Sequence, residues 1–389
     1  MDFSVYESNF DRFLQGPSLY GENQGCSYDV SYDFRNYTDE EIEEFHPPPH
    51  KIIIYLYVLP VVLSLGVFSN SAFIFVIIRL KRMRTITNFY LVNLAIADIS
   101  YLLIGTTEKL VRTLSSPIDT DQGMFSRWSC IVIYSLLDTT SFASLFLVSL
   151  VTLEKFYAVC FPLKHRRVTG QGRTVKLVIF CWVLACAFAC SLMPSYWLII
   201  YACTTWPDRE RYSDYPSRIG ACWPVSDFAM NSAYGMQTIP FFLALLPNTV
   251  MYIKIVGTLN SRVATSSEMN SSREQNLRMR NMVARMLVAN GTLFFALASP
   301  FHILSFIIMI ISLSSPKLDH LYDGIDTAIP VCQLLLYMNS AVNPVVYSVT
   351  NSRYRKAYLD AVKSLRRKRT KHNGNSSLPV NNLSHSDPT

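Results

Sequence analysis

Seven stretches of this chain are almost free of charge, and each is long enough to cross a bilayer. Residues 52–78, 177–202, 228–253, 286–316 and 328–351 contain no Asp, Glu, Lys or Arg. Residues 85–107 contain only Asp98, and residues 130–153 only Asp138. A helix needs roughly 20 residues to cross the hydrocarbon core. Helices buried in a soluble protein are shorter and keep a polar face. The composition agrees: 16% of residues are charged, against about 25% in ordinary soluble proteins. The expected fold is an all-α membrane protein, a seven-transmembrane helix bundle over residues 51–350.

Charge gives the bundle a direction. Alternating segments 1–51, 108–129, 203–227 and 317–327 hold 10 Lys+Arg and 21 Asp+Glu. The intervening segments 79–84, 161–176, 254–285 and 352–389 hold 24 Lys+Arg and 4 Asp+Glu. Basic residues stay with the cytosol during insertion. The N-terminus is therefore expected outside and the C-terminus inside, in a multi-pass protein with a basic inner face. That face suits anionic lipid headgroups and acidic partners. Residues 1–46 contain no apolar run, so the first span is expected to act as its own insertion signal.

The flanking segments differ in kind. Residues 1–50 form an acidic arm, rich in Tyr and Phe, that is expected to lack a core and stay mobile. Within it, Tyr28, Tyr32 and Tyr37 lie among acids and are candidates for sulfation. Asn36-Tyr37-Thr38 is a glycosylation sequon. The inner loops are short except 254–285. After the seventh span, Tyr354, Ala357, Tyr358, Ala361, Val362 and Leu365 recur at helical spacing, with Arg353, Arg355, Lys356, Lys363 and Arg366 opposite. Residues 351–369 are read as an amphipathic helix on the inner membrane surface, and 370–389 as a disordered tail.

Of nine cysteines, Cys26, Cys130, Cys203 and Cys222 fall on the outer side, where disulfides form. Spacing leaves three pairings open. A Cys130–Cys222 bond would pin the last outer loop segment over the bundle and leave Cys26 with Cys203.

Two acids lie at membrane depth, where ionisable groups are costly and tend to carry function. Ser144, Asn339, Ser340 and Asn343 are placed to meet Asp98, as a sodium or water site built from oxygens or as a plain hydrogen-bond network. Asp138 lies two helical turns inward from Cys130, where a cavity open to the outside would end. It is a candidate partner for a ligand cation, or else for His302 or an amide of another helix. Glu108, Tyr134, Phe301, His302 and Gln333 complete the candidate ligand contacts. No metal-ligand or nucleophile spacing surrounds His302, which disfavours an enzyme. Broken helices with several midplane charges would mark a transporter or channel, and two acids do not supply them. No nucleic-acid partner is expected.

Over residues 50–365 the chain resembles a rhodopsin-like (class A) G-protein-coupled receptor. The matching features, in order, are Ser69-Asn70 and the run Asn93 to Asp98. Then come Glu154-Lys155-Phe156 with Pro162-Leu163, Trp182, Tyr252, Phe294 with Pro300, and Asn343-Pro344 through Tyr347. Ser299-Pro300-Phe301-His302 and residues 338–344 are similar to peptide receptors of the thyrotropin-releasing hormone, neuromedin U and ghrelin group. The resemblance implies a plasma-membrane receptor for an extracellular peptide, coupling to a heterotrimeric G protein, with arrestin as a further partner. Activation and G-protein contact would involve Glu154, Lys155, Phe156, Pro162, Leu163, Tyr252, Phe294, Pro300, Pro344 and Tyr347. No cofactor is implied beyond an allosteric sodium ion at Asp98. The acidic exterior points to a cationic or amidated peptide; an orphan or constitutively active receptor for a non-peptide ligand is the other reading. Amine receptors carry their acid at the position of Leu137, and opsins need a lysine that the seventh span lacks. Three positions depart from the pattern: Lys155 stands for an arginine, Ala298 for a tryptophan, and Pro247 lies five residues before Tyr252 rather than eight.

Overall fold

A computed structural model describes residues 30–119, 121–264, 271–314 and 319–374. It contains seven helices long and apolar enough to span a membrane. In order they are α1 (Pro49–Arg79), α2 (Ile86–Ser115), α3 (Arg127–Cys160), α4 (Gln171–Leu192), α5 (Asp227–Ala264), α6 (Ser271–Ser314) and α7 (Asp319–Thr350). An eighth, α8, runs Ser352–Gly374. The helix starts follow side-chain chemistry. Thr85 accepts the Asn88 amide at the head of α2, and Ser126 accepts that of Ser129 at the head of α3. These oxygens satisfy amides that have no partner inside the helix. Pro240, Pro247, Pro300, Pro330 and Pro344 sit inside α5, α6 and α7. Each removes one backbone bond without ending its helix, because neighbouring helices supply the packing.

Burial sets the arrangement. In the most apolar window of α3, 56% of residues are buried, against 22% in α1 and 28% in α4. α3 is therefore central, while α1 and α4 turn most of their surface to lipid. The outer faces carry exposed Phe68, Ile78, Phe180 and Val183. Apolar side chains there meet acyl chains, so exposure carries no cost.

Two expectations about segments change. Residues 254–285 were expected to be a long inner loop, yet α5 continues to Ala264 and α6 begins at Ser271. Backbone hydrogen bonding continues into water, so loss of apolar character does not end a helix. α8 exists, but only part of its apolar stripe is buried. Tyr354, Ala357 and Ala361 pack into the bundle, whereas Leu359 and Val362 are exposed. Leu365 and Arg366 lie where side chains are outside the described residues, as is the tail from residue 375.

The acidic arm departs most. Residues 1–29, with Cys26 and Tyr28, lie outside the described residues, but residues 30–46 are folded. β1 (Val30–Asp33) pairs in parallel with β2 (Leu198–Thr205), which pairs antiparallel with β3 (Arg218–Trp223). The arm then forms a short helix, Asp39–Glu43, closed by a capping box between Thr38 and Glu41. Tyr32, Phe34, Ile118, Ala202, Ile219 and Ala221 form a small outer core. Phe34 stacks on Trp206 at 4.7 Å. Alone the arm has too little apolar surface to fold, as its composition says. It borrows that surface from a hairpin about 170 residues away. The buried ring of Tyr32 is closed to a sulfating enzyme, and Asn36 sits exposed in the turn after β1.

Ion pairs fasten the arm. Asp39 accepts Tyr212 Oη at 2.7 Å and pairs with Arg209, so loop cations offset part of the acidic charge. Lys51 Nζ meets Asp119 Oδ2 at 2.7 Å, tying the head of α1 to the loop after α2. His46 lies 2.7 Å from Tyr215 Oη through its Nε2. Burial lowers the His46 pKa from 6.5, Arg211 adds to the effect, and Glu43 opposes it. A lowered folded-state value means the unfolded arm takes up the proton more readily. Docking is then unaffected above about pH 6.5 and weakens as pH falls below it. Hydrogen exchange at residues 30–46 should quicken between pH 7 and 5 in the wild type and much less in His46→Gln. Equal acceleration in both would remove the assignment.

Candidate functional site

The site is built from the outer halves of α2, α3, α5, α6 and α7. All six candidate ligand residues, Glu108, Tyr134, Asp138, Phe301, His302 and Gln333, line one cavity of about 90 Å³. Its floor reaches Ser144, Asn339 and Ser340, so the ligand candidates and part of the Asp98 network share one space.

Asp138 is held loosely. Tyr196 Oη donates to Oδ2 at 3.4 Å and Gln237 Nε2 to Oδ1 at 3.5 Å. Both are at the outer limit of hydrogen bonding. Of the two alternatives read from sequence, the amide of another helix is the one that appears, as Gln237 of α5. His302 instead stacks on Phe241 at 4.1 Å, and its Nδ1 has no hydrogen-bond partner. Glu108 lies 3.4 Å from Lys109 and 3.7 Å from Arg112. Tyr134 Oη donates to it at 3.3 Å and accepts Gln122 Nε2 at 2.6 Å. Gln122 in turn accepts the Cys222 amide at 2.8 Å. The cavity roof is thus wired to the Cys130–Cys222 disulfide. Cys203 is also disulfide-bonded.

Sequence reading missed several lining residues. Lys109 was assigned to a loop because α2 was taken to end near Thr107; it extends to Ser115. Gln237 was legible in principle, as a polar group inside a span. Phe241 gave no signal, since its role comes from contact with His302. Ala298 lines the cavity where a tryptophan would fill it.

The Asp98 network is compact. Ser144 Oγ donates to Oδ1 at 3.2 Å and Asn343 Nδ2 to Oδ2 at 2.7 Å. Ser340 contributes its backbone carbonyl to Asn70 at 3.0 Å. Asn339 is buried beside it.

At the inner end Lys155 pairs with Glu154 at 2.8 Å and donates to Thr87 Oγ1 at 2.5 Å. Glu154 also meets His165 at 3.1 Å. Tyr252 Oη lies 3.0 Å from Thr152 Oγ1. Phe156 packs with Val159, Ile255, Leu259 and Ala284, joining α3, α5 and α6. Arg280 of α6 donates to the Ala158 carbonyl at 3.2 Å. The inner ends are therefore closed together. Tyr347 is buried among Phe73 and Tyr354, with its hydroxyl unbonded. Phe294 is in the main core, Pro300 and Pro344 lie inside α6 and α7, and Pro162 starts a short helix, Pro162–Val168. Leu163 on that helix is exposed.

Residues 69–347 match the model of the family described as 7 transmembrane receptor (rhodopsin family). The chain belongs to that family. It is a G-protein-coupled receptor. Similar proteins include the thyrotropin-releasing hormone receptor of Gallus gallus, 26% identical over 81% of this chain and 80% of that protein. Neuromedin-U receptor 1 of Mus musculus is 28% identical over 84% of this chain and 78% of its own length. A neuromedin U receptor homolog of Caenorhabditis elegans is 26% identical over 76% and 75%. The membrane-spanning receptor thus carries its family pattern around a cavity lined by two acids, a lysine and a histidine.

Proposed function

We propose that the receptor binds an extracellular peptide through a cationic or amidated group and passes the signal to a heterotrimeric G protein. The observation that carries this is the under-satisfied polar lining of the cavity. Asp138 has only two long hydrogen bonds, and His302 Nδ1 has none. Buried polar groups are normally satisfied, so a ligand that supplies a donor to each gains full value from them. The names of the similar receptors support a peptide. The N-terminus lies outside in this reading and the C-terminus in the cytosol, supported by the charge asymmetry of the loops.

Signalling follows from a two-state bundle. The closed inner end described above is one state. A ligand that fits the cavity better when α6 swings out shifts the population toward the open one. α6 is free to bend at Pro300, where a backbone bond is missing. The opened cleft exposes Lys155, Tyr252 and Tyr347, with Leu163 beside it, to the G protein and afterwards to arrestin. The donor set at Asp98, a carboxylate with serine and asparagine oxygens, fits a sodium ion that would steady the closed state.

Asp138→Asn is expected to weaken the activating peptide about 10- to 100-fold, the worth of a charge-assisted hydrogen bond. Screening expressing cells with basic and amidated peptides, reading calcium and cyclic AMP, supplies the ligand. Unchanged potency in Asp138→Asn would sink the cationic-anchor reading.

A further inference from the structure

A second cavity, of about 460 Å³, lies away from the ligand site, at the inner ends of α2, α3 and α4. Nothing in the signalling reading uses it. Its walls are layered. Ile86, Leu150, Leu153 and Leu177 make an apolar upper wall. Beyond that wall, Phe89 of α2 and Ile179 and Val183 of α4 continue outward as exposed apolar side chains. Lys164, Arg167 and Arg173 rim the lower part, with His165 between them and α3. All three Lys and Arg side chains are exposed.

The electrostatics are one-sided. Glu154 is the acid in the wall, and it is already engaged by Lys155 at 2.8 Å and His165 at 3.1 Å. Lys164 Nζ lies over the Phe161 ring at 5.8 Å, a contact that leaves its charge uncancelled. α4 begins at the edge of the cavity. Its N-cap, Gly170, offers no side-chain hydrogen bond, so the first amides of a 22-residue helix point outward without a cap. Those amides and the helix dipole add to the positive field.

An apolar wall above and a cationic rim below, at the level where the spans meet the cytosol, is the profile of a lipid molecule. A soluble anion would leave the apolar wall bare. A protein helix would need a longer groove and would bring no phosphate to the rim. Three Lys and Arg around one space exceed the single net charge of a phosphatidylserine headgroup. We propose that this cavity seats a phosphorylated inositol lipid of the cytosolic leaflet. Its phosphates lie among Lys164, Arg167 and Arg173, and an acyl chain runs along Ile86, Leu153 and Leu177. The proposal rests on the cytosolic orientation given above. A lipid so bound ties the Pro162–Val168 helix to the start of α4 and steadies Leu163, the exposed side chain next to the cleft.

The test uses full-length receptor in nanodiscs of phosphatidylcholine with a few per cent phosphatidylinositol bisphosphate, and native mass spectrometry to count retained lipid. Wild type is expected to retain one phosphoinositide in preference to phosphatidylserine. The variant K164Q/R167Q/R173Q should lose retention roughly 10-fold or more, since each cation near an anionic surface contributes measurably. Its melting in discs of phosphatidylcholine alone should match wild type, which shows that it folds. The control R355Q/K356Q, on α8, should retain lipid normally. Equal losses in control and variant would mean general attraction to a basic face and would overturn the site. So would binding of soluble inositol trisphosphate as tight as that of the lipid, which would make the apolar wall irrelevant. Antibody access to an N-terminal tag on intact cells tests the orientation separately. Failure there would remove the cytosolic leaflet without touching the lipid count.

Discussion

Replacing Asp119 with alanine is expected to cost the receptor about 3–5 kcal/mol, the range for removing one partner of a buried ion pair. Lys51 is 3% exposed and Asp119 11%, with 2.7 Å between the charged atoms. The charge left on Lys51 then sits in a site that water scarcely reaches. The effect reaches beyond stability. Asp119 donates its backbone amide to the Phe45 carbonyl at 2.8 Å, where the folded arm meets the bundle. Loosening this corner frees the arm from the roof of the ligand cavity. Thermal melting of detergent-solubilised receptor should drop clearly in Asp119→Ala. The double variant Lys51→Met/Asp119→Leu should recover most of the loss, because apolar side chains of similar size replace buried pairs at little cost. A single variant that melts like wild type would refute the account.

The second large effect is functional. A Cβ added to Gly291 would lie 1.8 Å from Tyr252 Oη and 2.5 Å from its ring carbon Cζ. No real contact is that short, so Tyr252 must leave its place beside Thr152, or α6 must move away from α5. The inner ends of α3, α5 and α6 are packed shut here, so a wedge between them disfavours the closed state. Overpacking costs typically 1–3 kcal/mol, and each 1.4 kcal/mol shifts a two-state population about tenfold. Gly291→Ala is therefore expected to raise ligand-free G-protein turnover by about 5- to 100-fold in reconstituted membranes. Gly291→Ala/Tyr252→Ala removes the clash and should fall back toward the rate of Tyr252→Ala alone. Basal turnover equal to wild type in Gly291→Ala would show that Tyr252 moves aside freely, and the wedge argument would fail.

Much of this architecture was written in local sequence. A membrane span needs only length and absence of charge, so all seven could be read directly, together with Asp98 and Asp138 as the acids inside them. The family pattern then carried Tyr252, Pro300, Asn343 and Tyr347 to their places. The six candidate ligand residues fall on one cavity because depth along a straight helix can be counted from the sequence.

Other features depended on partners far away in the chain. The arm at residues 30–46 reads as a solvated acidic segment until β2 and β3 supply its hydrogen bonds and Trp206 and Ile219 its apolar contacts. The partners of Lys51 and Asp138, and the stack of His302 on Phe241, are set by how helices face one another, which periodicity does not encode. The closeness of Gly291 to Tyr252 is a distance between two helices, and a glycine carries no mark of what lies against it. Sequence determined which segments enter the membrane and which charged groups go with them, because transfer free energy is a property of each segment. Only the tertiary structure decided which of those groups meet, because pair energies depend on separations that the chain fixes when it packs.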